Sequence, residues 1–136
     1  MKVSELMIGD WVRRESHKNT PQRVMEISEN GVTLKLDGGW CGEAVDLIEP
    51  IPLTVDILTK NGFAFNKSMS NEEGDAYEFV ESQDAMAIVH DFESRHTHLF
   101  LFAFNFPMTI ERLLVSNVHE LQHALRLCGI NKEIEL

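Results

Sequence analysis

Hydrophobic and polar residues alternate with period two in "VTLKLD", where Val32, Leu34 and Leu36 fall on one side and Thr33, Lys35 and Asp37 on the other. That pattern predicts a half-buried strand. "LMIGDWVRR" and "QRVMEIS" read as two strands before it, and Asn30-Gly31, where positive φ is cheap, predicts a tight hairpin between the second and the third. A glycine-rich turn region, "DGGWCGE", follows, then "AVDLIEP" as another short strand. Short strands so closely spaced, one carrying G-D-W-V, predict a small SH3-like or KOW-like β-barrel over residues 1–50.

Pro50 and Pro52 hold Ile51 extended and mark a junction. After it, "LTVDILTKNGF" predicts a helix of about two turns that depends on packing rather than propensity. Thr54 caps it, Asp56 places negative charge in its first turn, and Gly62 takes the left-handed position past its end. "SMSNEEGD" reads as an exposed loop, and "AYEFVES", "AMAIVHDF" and "THLFLFAFNF" as strands. In the last, Phe100, Phe102, Phe104 and Phe106 alternate with Leu99, Leu101 and Ala103, so both faces are apolar and a central strand packed in a core is expected. Residues 51–136 are thus expected to form an α+β unit, an antiparallel sheet packed by a C-terminal helix.

That helix contains "HELQH", the spelling of a zinc-hydrolase motif. Histidines four apart lie on one helical face, so His119 and His123 could share a metal while Glu120 served as general base. At about 100° per residue, Leu114, Val118, Leu121, Leu125 and Cys128 form the apolar stripe, with both histidines opposite, facing water. Folding signals account for the same letters. Asn117 with Glu120 at the third helical position reads as a capping pair that returns the carboxylate to the cap amide, and Gly129 with Ile130 reads as a Schellman end. The extended zinc signature fails, because Arg126 stands where its glycine would be and Gly129 where its last histidine would be. A second nitrogen-rich arrangement, His96 and His98 beside His90 and Asp91, is read as hairpin-end polarity rather than a metal site. No cofactor is expected.

Charge narrows the partners. Twenty-two acidic residues against 12 basic leave a formal charge of −10, which repels phosphate backbones at long range. A nucleic-acid contact therefore needs a local patch, and Arg13, Arg14, Lys18 and Arg23 with His17 are the candidates. "HLFLFAFNF" stops at a proline well short of the ~18 apolar residues of a membrane span, so no membrane partner is expected. The first residues lack the apolar region of a secretory signal, and Cys41 and Cys128 have no C-x-x-C spacing; both point to reduced thiols in the cytoplasm.

"MKVSELMIGDWV", "IEPIPLTVDILTKNGF" and "VHELQHALRLCGINKEIEL" together resemble a family of small uncharacterised proteins of Bacteroidetes genomes, prophages and mobile elements. The resemblance covers both ends and the junction and implies no activity. In the family pattern Gln often stands at the position of Glu120 and Asn at that of His123, so the zinc spelling looks accidental. The expected function is a non-enzymatic binding or adaptor protein with a protein partner, of phage or mobile-element origin. A nucleic-acid contact through Arg13, Arg14, Lys18 and Arg23 comes second, and a metal-dependent hydrolase using His119 and His123 third.

Overall fold

The computed structural model describes residues 1–72, 74–81, 85–89, 97–102, 109–127 and 129–136, with backbone alone at 85–89, 98–102 and 109–113. The chain is α+β, with two five-stranded antiparallel sheets. It divides into two compact units, Met1–Pro52 with Asn117–His119, and Leu53–Ser116 with Glu120–Leu136.

The first unit contains β1 (Trp11–Arg14), β2 (His17–Ile27), β3 (Gly31–Leu36), β4 (Gly39–Ala44) and β5 (Ile48–Pro50), in the order β4-β3-β2-β1-β5. Pairing does not join β4 to β5, so the sheet is open where a barrel was expected. It is nevertheless rolled: Arg14 of β1 reaches Cys41 of β4 at 3.6 Å and Glu43 at 3.9 Å, across the face between them. The inner face is aliphatic. Leu6, Val12, Val24, Val32, Leu34 and Ile48 are buried together, as the alternation in "VTLKLD" requires.

Local expectations are refined at four places. "LMIGDWVRR" is a strand only from Trp11. Before it the chain turns: Asp10, fully buried, accepts from the Met7 N–H at 2.7 Å, and Gly9 sits at φ 92. The G-D pair therefore closes a side-chain-capped turn. The hairpin expected at Asn30-Gly31 joins β2 to β3, but its glycine is not left-handed; it is required because a Cβ there would meet the Glu43 carbonyl oxygen at 2.6 Å. The glycine-rich "DGGWCGE" is mostly strand β4 after a turn at Asp37-Gly38, and "AVDLIEP" is a single turn of 3-10 helix, Val45–Leu47, leading into β5.

In the second unit, α1 (Val55–Lys60) precedes β6 (Phe63–Phe65), β7 (Asp75–Phe79), β8 (Ala85–Val89), β9 (Thr97–Phe102) and β10 (Thr109–Val115), and α2 spans Val118–Leu127. The sheet order is β10-β9-β8-β7-β6. Thr54 caps α1 by accepting from the Ile57 N–H at 3.3 Å, and Gly62 is left-handed at φ 89. β9 is paired on both sides, as its apolar faces predict. The side chains of its phenylalanines, and residues 103–108, lie outside the described residues.

β6 and β10 were not expected. Leu114, placed on the helical stripe by periodicity, belongs to β10 and is exposed, while Val115 beside it is buried. The described core here joins an aromatic pair to aliphatic side chains: Phe63 and Phe79 pack with ring centroids 5.1 Å apart, and Leu58, Leu121 and Leu125 are buried as well. The last residues return to α1. Asn61, fully buried, donates to the Ile57 and Glu135 carbonyls and accepts from the Glu135 N–H, while Lys60 bonds the Leu136 carbonyl. Ile134 is buried, and Lys132 pairs with Glu81 at 2.8 Å.

Candidate binding surface

Antiparallel register places side chains on a common face, so directly opposed residues are neighbours. On the outer face of the first sheet Trp11 stands opposite Arg23, Arg23 opposite Lys35, and Lys35 opposite Trp40. These pairs make one row across four strands, two cations between two tryptophans. The Arg23 guanidinium lies 5.2 Å from the centre of the Trp11 ring, within cation–π range. Trp40 is 64 % exposed on β4, the edge strand of the sheet.

The expected basic patch is divided by the fold. Arg13 is on the outer face opposite Glu49, and its Nε is 3.2 Å from that carboxylate, which Lys18 also approaches at 3.2 Å. Arg14 stands opposite buried Ile48, on the inner face, and turns toward Cys41 and Glu43. Arg23 alone of the four joins the tryptophan row. Lys35 and Trp40, absent from the expected patch, complete it. Lys35 was already on the polar side of "VTLKLD"; Trp40 was hidden by the glycines that made its strand read as a turn.

His119 is buried at 4 % exposure, which corrects the expectation that both histidines face water; His123 is half-buried. Glu120 is engaged, its carboxylate accepting from the Ser116 N–H at 2.7 Å, one residue earlier than the cap amide expected. At the other end of α2, Gly129 is left-handed at φ 75 and the Ile130 N–H bonds the Leu125 carbonyl at 2.9 Å, the Schellman closure. His90, Asp91, His96 and Cys128 lie outside the described residues, as does the side chain of His98. Among the described residues no group of three or more His, Cys, Asp or Glu side chains could hold a metal ion, and no helix is long and apolar enough to cross a membrane.

Comparison with protein-family models, with curated proteins and with solved structures found no match.

Proposed function

We propose that this chain is a non-enzymatic binding or adaptor protein that engages a protein partner through the outer face and free edge of its first sheet. The observation that carries the reading is Trp40, a large aromatic 64 % exposed on an edge strand. An unpaired strand edge offers main-chain donors and acceptors to an incoming strand, and exposed tryptophans are favoured anchors of interfaces. The strand order, with a 3-10 turn between β4 and β5, supports assignment of this unit as SH3-like. On the same footing we place the chain in the small Bacteroidetes family that its two ends resemble, with a phage or mobile-element origin and a cytoplasmic site of action.

The test is affinity capture from the native host with wild type and Trp40→Ala side by side. A partner retained by wild type and lost by Trp40→Ala, with far-UV circular dichroism unchanged, is the expected result. Capture indifferent to Trp40 removes the edge from the argument.

The tryptophan row favours one other reading, contact with single-stranded nucleic acid, since bases stack on aromatic rings while cations meet phosphates. In that case single-stranded DNA or RNA binds at low salt by fluorescence anisotropy, weakens steeply as salt rises, and is lost in Lys35→Ala with Trp40→Ala.

A further inference from the structure

A sheet has two edges, and in the first unit they are built differently. β5, at one end, is three residues long and finishes at Pro50, and its Glu49 pairs with Arg13 and Lys18. Shortness, proline and charge are the devices that keep an edge from pairing with another chain. β4, at the other end, is a regular and longer template. Its six residues pair with β3 from Gly31↔Ala44 to Leu36↔Gly39 without a register shift. It contains no lysine or proline, and its single charge, Glu43, is half-buried with Arg14 at 3.9 Å.

The ladder shows which main-chain groups this edge presents. The Val45 N–H bonds the Asn30 carbonyl at 3.3 Å, one step beyond the Gly31↔Ala44 pair. Bonded and unbonded pairs alternate in an antiparallel ladder, so Gly39, Cys41 and Glu43 direct their N–H and C=O groups to β3, while those of Trp40, Gly42 and Ala44 point outward. The same three residues are exposed, and only Trp40 among them is large. Gly42 is not held to glycine by its own fold: a Cβ there meets nothing within 4 Å, and its φ is not left-handed. A glycine inside a strand weakens it and marks a place where another backbone approaches closely. An aromatic ring set across the ladder restores what the missing side chain loses.

We propose that the edge of β4 pairs antiparallel with β4 of a second copy of this chain, about a two-fold axis at Cys41. Trp40 then stands opposite Gly42 of the second copy, and Gly42 opposite its Trp40. Each indole covers the opposing glycine, and the outward main-chain groups of both residues bond across the axis. The spacing of tryptophan and glycine, two residues apart, is self-complementary, as an isologous interface requires. Glu43 falls opposite Gly39, so no like charges stand directly opposed. The inference rests on the reading that this edge is the binding element, and it names what binds there. Pairing along one strand covers little area, so the dimer dissociates on dilution.

The test is sedimentation velocity of the full chain over about a thousandfold range of concentration. Wild type is expected to pass from monomer to dimer within that range. Trp40→Ala and, independently, Gly42→Pro are each expected to weaken the dimer by about tenfold or more, with far-UV circular dichroism unchanged. The proline removes only an N–H that points away from β3, which an edge strand tolerates. Copper(II) phenanthroline in air is expected to join the dimer through Cys41, in Cys128→Ser as in wild type and not in Cys41→Ser. A chain monomeric throughout, a dimer indifferent to both edge variants, or one that does not cross-link at Cys41 overturns the proposal. A monomer that still retains a host protein through Trp40 defeats the dimer and leaves the adaptor reading standing, whereas a dimer that captures no host protein removes the adaptor reading alone.

Discussion

The two units solve the same problem, an antiparallel sheet that must bury one face, with different materials. In the first, β5 returns to pair with β1 beside three consecutive hairpins, the inner face is aliphatic and the outer face carries tryptophans and ion pairs. The second adds buried aromatic rings to its aliphatic side chains and is closed by the last residues of the chain, which bond Asn61 across a separation of 74 positions. The difference teaches where sensitivity should lie. The second, a meander of consecutive hairpins, is further tied by long-range bonds from the chain end to Asn61, so those bonds are where its sensitivity should concentrate.

Both tryptophans of the chain, Trp11 and Trp40, belong to the first unit, so their fluorescence reports that unit alone. Phe63→Ala is expected to cost about 3–5 kcal/mol by leaving a cavity beside Phe79. The far-UV transition should then begin earlier in urea while the tryptophan midpoint holds. Coincident movement of both signals would break the comparison by showing one cooperative whole.

Asn61→Ala comes next, at about 1–3 kcal/mol, because it leaves the Glu135 N–H and carbonyl without their partner. The same pair of probes reads it, and a loss below about 0.5 kcal/mol would mean that the returning chain end is no pin.

Buried His119 should cost about 1–3 kcal/mol when replaced by alanine, and half-buried His123 within about 0.5. With Glu120 committed to Ser116, EDTA should leave the melting temperature of the wild type unchanged. A clear drop on chelation, or a larger loss for His123→Ala, would revive the metal reading. The smallest effect is expected from Glu49→Ala. It frees Arg13 and Lys18, both partly exposed, and should shift the tryptophan midpoint by less than about 1 kcal/mol.

Much of this contrast was legible in the sequence, where local chemistry decides conformation. Thr54 and Gly62 bound α1, Gly129 ends α2, and the alternation around Leu34 assigns both faces of β3. The rest needed information that pattern does not carry. Leu114 falls in phase with the helical stripe of α2, so periodicity extends the helix backward; the break lies at Ser116 and Asn117, which the stripe cannot show. Trp40 was obscured by glycines on both sides, which read as a turn although the strand tolerates them at an edge. Gly31 was recognised as a turn signal for the wrong reason, since the crowding that demands it comes from Glu43 on another strand. The binding surface suffered most: Arg13, Arg14, Lys18 and Arg23 are close along the chain, but strand alternation and ion pairing disperse them, while Lys35 and Trp40 arrive through register.

The pin between Asn61 and Glu135 also sets an order of events during synthesis. Every strand of the first sheet has been made by Pro50, so that sheet can form while most of the chain is still being translated. The second unit cannot close until residue 135 leaves the ribosome, and until then Phe63 and Phe79 wait without their final cover. Its exposure to misassociation in the cell is therefore set by elongation time, and slowing translation past α2 should lower the soluble yield of the chain.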